Sequence, residues 1–531
     1  MEKKKPAYSA ELLWVNHDSK NMNALPNRQK VSSHIQRHYR SWQRKASAQE
    51  LRNSKFLTNR ALRSSGHELA RSNVSDTRND TSDETQAASQ SAQFHASVTR
   101  RFRGNSDPFD AHAVRVCPRV NDILKFYRDY AIPSQYHTGP DGWKTTAAAM
   151  DDWKDAVQSL HERGGALGFL ARWAQVASNV TQSSELAVEA LRFRSQSTTI
   201  LHEKLKRESG TISKSTYWHM HTLYTAETLA GNPRAAWLHA TIMQQILRQH
   251  SEKGQMELTY LRYFLYNESS ACCMFMTRPV LDYETWVPQM FKPAWRQAGE
   301  ELASLKIEYN TMLDPSIECW FLKNMFLLQR EDLEVWRHAS SRAEDLSPSM
   351  FIWFAARHSI HQARLVKYAL DRADEARSEE KLGMKYFKNA YLALTVVYWT
   401  RLIAGSDTIM GVEIFATKRP LLKAIRELLD EEEAAIGLDA AFGNKNARLW
   451  ALYVGAQAEQ QLPSDAEDNS NNTWGTKWFS EAFSLQAARM NLLSWTSVQS
   501  VLDGFLDHNI TEPHGEEFVP RLLRPLAPVA G

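Results

Sequence analysis

The sequence predicts an all-α fold, a multi-helix array of antiparallel helical hairpins with a disordered basic amino-terminal region. Glycine and proline are sparse for a chain of many short strands and tight turns, with 21 Gly and 18 Pro in 531 residues. Apolar residues recur at three- and four-residue steps, the period of one helix face. Sustained period-two alternation, the mark of a half-buried strand, is not found. The length allows one large or two medium domains.

Composition and charge divide the chain into three segments. Residues 1–63 are basic, residues 64–104 form a linker rich in Ser, Thr and Asn, and residues 105–531 are continuously core-forming. The linker holds too few large apolar side chains to offset the entropy of ordering it. Residues 1–103 carry 19 Lys and Arg against 9 Asp and Glu, and the remainder carries 45 against 52. A basic segment before an acidic body favours a polyanionic partner for that segment, although a solvated tail also fits.

Several helices of the body follow from spacing. One helix is predicted through the stripe from Leu186 to Leu205 and should end by Gly210. A hairpin is predicted from helices over Tyr217–Leu229 and Arg234–Gln249, joined by the turn Gly231-Asn-Pro233. Proline is tolerated in a first helical turn, where its missing N–H has no helical partner. A third stripe should form one long face, with Leu485, Ala488, Leu492, Trp495, Val498, Leu502 and Phe505.

Catalytic and cofactor signatures were not found in the sequence, so we expect no enzyme activity and no cofactor. It has no phosphate-binding loop, no dinucleotide fingerprint, no nucleophile elbow and no His-Glu-x-x-His motif. His219 and His221 are two residues apart, and helix positions two apart face different directions. A packing or surface role for both is therefore predicted.

The cysteines and the longest acidic run have structural interpretations. Four cysteines without disulfide-framework spacing, together with no apolar signal segment, indicate a reducing intracellular compartment. Cys272 and Cys273 are expected to pack in an apolar helix, while Cys117 should lie nearer the edge of the core. The run Asp430–Glu433 is expected to be solvated. The longest apolar run, Tyr391–Thr400, is too short to span a bilayer, so no membrane association is expected.

The basic segment contains the candidate binding residues. A helix is predicted after Ser32 or Ser33 as the cap. One of its faces would hold a partner-docking set, Ile35, Tyr39 and Trp42, and another a nucleic-acid-binding set, Arg37, Arg40 and Arg44, followed by Lys45. Phosphate contacts from the arginines are one interpretation, and a helix packed on its own domain with solvated arginines is the other.

Motifs in a fixed order resemble a known family. Leu13-Trp-Val-Asn16 and the segment from Ser32 to Trp42 are similar to the amino-terminal box of fungal regulatory proteins that carry a fungal-specific transcription factor domain without a zinc cluster. Further matches, spread over residues 12–520, are Asp107-Pro-Phe109, Pro118–Tyr127, Tyr224–His239, Arg448–Glu459, Trp478-Phe479, Trp495 and Pro513-His-Gly515.

The resemblance implies a nuclear transcriptional regulator with a helical regulatory domain. Direct zinc-dependent DNA binding is not implied, because a binuclear zinc cluster needs six closely spaced cysteines and the first cysteine here is Cys117. Expected partners are DNA, through the basic segment, and other transcription proteins or a second copy, through the helical domain. Two alternatives stay open: a helical adaptor that binds proteins and not DNA, and an enzyme or small-molecule binder built in the helical body.

Overall fold

The fold is all-α, as predicted, in a computed structural model that describes residues 112–135, 147–208, 212–254, 256–342, 347–378, 383–404, 408–409, 412–440, 444–461, 477–506 and 515–523. The helices are α1 (Pro118–Phe126), a π-helical turn (Tyr127–Ala131), α2 (Ile132–Gln135), α3 (Ala147–Ser159), α4 (Arg163–Thr181), α5 (Ser184–Arg207), α6 (Lys214–Leu229), α7 (Pro233–Glu252), α8 (Leu258–Phe275), α9 (Trp286–Leu305), α10 (Trp320–Arg342), α11 (Pro348–Ser378), α12 (Gly383–Ala404), α13 (Lys418–Ala440), α14 (Lys445–Gln461), α15 (Trp478–Arg489), α16 (Trp495–Leu502) and α17 (Gly515–Leu522). Strands β1 (Thr408–Ile409) and β2 (Val412–Glu413) form an antiparallel pair.

The chain divides into two compact units. Of the described residues, the first unit comprises those up to Ala235 together with Thr408–Ile414, and the second comprises those within Ala236–Asp407 and from Phe415 onward. Each unit is built from helices that pack side by side. The strand pair belongs to the first unit. Its strands are too short to give a period-two alternation, which is why the sequence shows no such pattern.

Helix α4 is the centre of the first unit. It packs against α1, α3, α5 and α6, and most of its residues are buried. The carboxylate of Glu162 caps its start by accepting from the amides of Gly164 and Gly165. Gln182 takes the left-handed conformation (φ 59°), and Ser183 caps α5. Two residues thus separate α4 from α5, and this makes them an antiparallel hairpin.

Two predicted helical elements are confirmed in the structure. The stripe from Leu186 onward lies on α5, where Leu186, Ser197 and Leu201 are buried. Helix α6 ends at Leu229, Gly231 adopts a positive φ of 71°, and Pro233 is the first residue of α7. The turn residues lie where the sequence placed them because Gly accepts the left-handed region and Pro accepts a first helical turn.

Helix α12 is the centre of the second unit. It contacts α10, α11, α13 and α14, and its residues from Phe387 to Arg401 are buried. The apolar run Tyr391–Thr400 lies inside it. A helix that is apolar all round needs neighbours on every side, and these four helices supply them. The described helices include none with both the length and the apolar character to cross a membrane.

The prediction of one long carboxy-terminal stripe is wrong. Leu485 and Ala488 belong to α15, and Trp495, Val498 and Leu502 belong to α16. Leu492 lies in the connection between the two helices, where Asn491 has a φ of 56°, and Phe505 follows α16. Leu485 is 51% exposed, whereas Val498 and Leu502 are buried. The regular spacing of apolar residues continued across the connection, so periodicity alone joined two helices that the backbone separates.

The prediction that Asp430–Glu433 is solvated is wrong for Glu432, which is completely buried. Its carboxylate accepts from Asn444 Nδ2 at 2.9 Å and lies 3.4 Å from Arg448 Nη1. Arg448 also donates to the carbonyl of Leu429 at 3.1 Å. Burial raises the pKa of Glu432 to about 7, outweighing the lowering effect of Asn444 and Arg448. The remaining acidic residues of the run are partly or fully exposed.

This burial predicts a pH dependence of stability. A carboxyl whose folded pKa is raised stabilises the fold fully below its unfolded pKa, and the contribution is lost as pH rises through about 7. The unfolding free energy should therefore fall between pH 5 and pH 8, and Glu432→Gln should remove on the order of 2–3 kcal/mol of that fall. Urea unfolding at several pH values measures it. Glu427→Gln on the exposed side of α13 is the control and should keep the wild-type slope; an unchanged slope in Glu432→Gln would contradict the prediction.

Candidate functional site

The seven residues predicted to bind partners lie outside the described residues. These are the docking set Ile35, Tyr39 and Trp42 and the basic set Arg37, Arg40, Arg44 and Lys45. Their assignment stays a prediction.

A serine, a histidine and a carboxylate meet in the first unit. Ser197 on α5 has its Oγ 2.9 Å from Nε2 of His219 on α6, and Nδ1 of that ring lies 3.7 Å from Oε2 of Glu162. Nucleophilic catalysis uses such a set when the hydroxyl passes its proton to the imidazole. The direction of the hydrogen bonds therefore decides what this cluster can do.

The hydroxyl of Ser197 is not activated in this arrangement. It donates to the carbonyl of Gly164 at 2.7 Å, so the ring must donate from Nε2 to the serine oxygen. Nδ1 then carries the lone pair, and it is buried without a hydrogen-bond partner. Burial lowers the pKa of His219 to about 4 against the raising effect of Glu162, so the ring is neutral at pH 7. Both side chains are fully buried. The cluster joins α4, α5 and α6.

Glycines allow this close approach. A Cβ on Gly164 would overlap the imidazole of His219, and one on Gly168 would overlap the hydroxyl of Thr222. Helix α6 therefore packs directly on the backbone of α4. His219 and His221 both lie on α6 and are buried, which agrees with the packing interpretation of the pair. Within the described ranges, His, Cys, Asp and Glu side chains form no cluster suited to a metal ion.

The cysteine expectations agree with the structure. Cys272 and Cys273 are buried on α8, and Cys117 is exposed immediately before α1. Burial raises the pKa of the Cys272 thiol well above its usual value, and Glu268 raises it further. A thiol held in its protonated form is a poor nucleophile, so this position packs rather than reacts.

A solvent-facing groove runs along α9 in the second unit. It is shallow and wide open to solvent, with a volume of about 460 Å³, and its lining residues are Pro288, Gln289, Lys292, Trp295 and Arg296. Lys292 and Arg296 are exposed one helical turn apart, with the partly buried indole of Trp295 between them. We call these five residues the α9 groove. A concave, largely apolar surface with a few convergent polar groups is the usual form of a binding site.

The floor of the α9 groove is fixed by a small core. Trp295 packs against a cluster formed by Ala298 of α9, Val335 of α10, and Met350 and Trp353 of α11. Glu301, further along α9, accepts from the hydroxyls of Ser347 and Ser349 at 2.5 and 2.6 Å. These contacts hold α9 against the start of α11.

Buried charges hold α10 and α11 together beneath this core. Arg357 lies 4.5 Å over the ring of Trp353, and its Nε is 3.0 Å from Oδ1 of Asp332. Nδ1 of His361 lies 3.3 Å from the other oxygen of Asp332. Burial raises the pKa of Asp332, but Arg357 and His361 outweigh it and lower the pKa below its usual value. The carboxylate is therefore ionised at neutral pH and needs its cation.

The sequence carries only a weak signal for the α9 groove. Gln289, Lys292 and Arg296 recur at helical spacing, but Pro288 directly precedes them and Pro293 lies among them. Interior proline predicts a helix end or kink, so the segment does not stand out as one helix. The structure forms a continuous helix there with Pro293 inside it.

No family model, curated protein or solved structure matches this chain. The resemblance to fungal transcription factor domain proteins therefore rests on the quoted motifs alone.

The close contact between Gly164 of α4 and the His219 ring of α6 predicts that a larger residue at position 164 destabilises the fold. Gly164→Ala forces a methyl group into the space of the His219 ring, and overpacking of this kind costs about 1–3 kcal/mol. Denaturant unfolding of the full chain measures the change. Gly299→Ala is the matched control, because nothing lies within 4 Å of a Cβ there, and it should stabilise by roughly 0.5–1 kcal/mol. Equal effects of the two substitutions would show that α6 does not pack on Gly164.

Proposed function

We propose that this chain is a nuclear transcriptional regulator that acts through its helical body and contacts nucleic acid through its basic segment. The motif order that resembles fungal transcription factor domain proteins supports the class of function. The all-α body supports a regulatory module that binds other molecules.

The observation that carries the proposal is the opposite charge of the two parts of the chain. Residues 1–63 hold 14 Lys and Arg against 4 Asp and Glu, while residues 104–531 hold 45 against 52. Nucleic acid attracts the first part through its phosphates and repels the second, so contact with DNA would be confined to the segment before the body.

A second candidate is a helical adaptor that binds proteins and never touches DNA. The α9 groove favours it, since a groove on a well-packed helix suits a partner's side chain. In both functions the body binds protein, and they differ only in the role of residues 1–63.

The basic segment gives the discriminating prediction. Replacing Arg37, Arg40 and Arg44 by Glu should weaken binding to all DNA sequences about equally, because phosphate contacts carry no base information. Each lost contact should flatten the slope of log affinity against log salt by roughly 0.9. Binding is measured with the full chain on unrelated duplexes at several salt concentrations, and genome-wide chromatin occupancy is measured with the tagged chain.

The control replaces the apolar face of the same predicted helix. Ile35, Tyr39 and Trp42 changed to Ala should impair docking or folding while leaving the salt slope nearly constant. If the arginine variant enters the nucleus, occupies chromatin and keeps the original slope, then the basic face is only solvated and the adaptor function leads.

A further inference from the structure

The sequence contains a single position at which a serine or threonine is followed directly by proline. Of the 18 prolines, only Pro348 follows such a residue, and that residue is Ser347. Proline-directed protein kinases select this pair because their substrate groove offers no acceptor to the N–H of the next residue, and proline has no N–H to leave unsatisfied. The pair Ser347-Pro348 is therefore a candidate acceptor site for a kinase of this class.

Ser347 lies immediately before the first turn of α11, where a kinase can reach it. Its side chain is half-buried, and Glu300, beside its partner Glu301 on α9, is exposed. Its Oγ accepts from the amide of Met350 at 3.2 Å and so caps α11. Pro348, the first residue of the helix, donates no hydrogen bond, so few bonds hold this turn. A terminal helical turn opens at little cost in free energy, and opening of this one exposes the hydroxyl.

The hydroxyl of Ser347 joins α11 to α9 through one carboxylate. It donates to Oε2 of Glu301 at 2.5 Å, and the hydroxyl of Ser349 donates to Oε1 at 2.6 Å. These two bonds lower the pKa of Glu301, so its carboxylate is ionised at neutral pH. Among the described residues, no Lys or Arg forms an ion pair with it. The contact therefore consists of hydroxyl donors that face a negative charge without a cation.

We propose that Ser347 is phosphorylated by a proline-directed protein kinase and that the phosphate breaks the contact between α9 and the start of α11. The Oγ of Ser347 attacks the γ-phosphorus of ATP held by the kinase, and an Oγ–P bond forms while the bond from that phosphorus to the β,γ-bridging oxygen breaks. ADP leaves, and the hydroxyl proton passes to a carboxylate base of the kinase and then to solvent. This goes beyond the proposed function and does not depend on it.

A phosphate on Ser347 turns the attraction to Glu301 into repulsion. The hydroxyl donor becomes an ester oxygen that cannot donate, and a group with a charge of about −1.5 to −2 at pH 7 lies beside the carboxylate. The first turn of α11 favours the phosphate, because the amino-terminal end of a helix carries partial positive charge. The phosphate therefore stays on α11, and Glu301 moves away from it together with the end of α9.

Both partners of this contact lie within one helical turn of the small core that supports Trp295. Glu301 is three residues after Ala298 on α9, and Ser347 is three residues before Met350 on α11. Ala298 and Met350 belong to that core. Phosphorylation should therefore loosen the core, and the α9 groove loses its fixed floor.

The acceptor site is tested with the purified full chain, a proline-directed kinase and Mg-ATP, and phosphopeptide mass spectrometry is the readout. Phosphate is expected at Ser347, both here and in the tagged chain isolated from its own cells. Pro348→Ala keeps the acceptor hydroxyl and suits a first helical turn, so it should fold normally and lose most of the phosphorylation. Ser349→Ala is the matched control. It removes the other bond to Glu301 but keeps the Ser-Pro pair, and it should be phosphorylated at least as fast as the wild type.

The structural consequence is tested by hydrogen–deuterium exchange of the phosphorylated and unphosphorylated full chain. Amides at the end of α9 and the start of α11 should exchange about tenfold faster or more after phosphorylation, since a hydrogen bond to a charged group is lost. Amides of α4 in the first unit serve as the internal reference and should keep their rates. Glu301→Gln separates repulsion from any other effect of the phosphate, because the amide is uncharged and can donate to a phosphate oxygen. Phosphorylation of this variant should change the exchange rates little.

Three results would overturn the proposal. The first is a folded chain without phosphate at Ser347 under conditions that phosphorylate a peptide of residues 340–352, since the hydroxyl would then stay covered. The second is the absence of phosphate at Ser347 in the chain isolated from its own cells. The third is an equal change in exchange for the wild type and Glu301→Gln, because repulsion by this carboxylate would then have no part in the effect.

Discussion

The ion pair between the buried carboxylate of Asp332 on α10 and Arg357 on α11 is the interaction on which the shape of the α9 groove depends. An unpaired charge at that depth costs several kcal/mol, so the helices must keep Arg357 within 3.0 Å of it. Arg357 in turn lies over Trp353, and Trp353 belongs to the small core that supports Trp295. The ion pair therefore fixes two helices, the core sits on those helices, and the floor of the α9 groove sits on that core.

Helices pack closely in both units, but different side chains allow it. In the first unit, Gly164 and Gly168 remove side chains from α4 so that His219 and Thr222 of α6 reach its backbone. In the second unit, the central helix α12 is buried on all sides, and charged residues are taken into the interior with their partners, as Glu432 is with Arg448. The stability of the first unit is therefore sensitive to added side-chain volume at these glycines. The stability of the second unit is sensitive to pH and to loss of one partner of a buried charged pair.

The α9 groove differs from these interiors because its charged side chains are exposed. Arg357 and Arg448 have their carboxylates, while Lys292 and Arg296 have none among the described residues. Exposed cations cost little in water, so the fold tolerates them without a partner. The buried N–H of Trp295 is different, since an unsatisfied buried donor costs about 1–3 kcal/mol.

The sequence by itself determined the helical fold class, the turn from Gly231 to Pro233 and the burial of Cys272 and Cys273, because periodicity, backbone freedom and apolar context are local properties. It also located the apolar run of α12, but not its place at the centre of a unit. Only the tertiary structure decided that Glu432 is buried, that the stripe near Leu485 breaks into two helices and that Ser197, His219 and Glu162 meet. In the sequence, Glu432 cannot be distinguished from the acidic residues beside it on α13. Its burial is evident only from the structure, where Arg448 of another helix lies next to it. The α9 groove was hidden for the same reason, since its shape comes from the core of three helices beneath Trp295. Contacts between residues distant in the sequence determine which side chains are buried, and that burial determines their pKa values and hydrogen bonds.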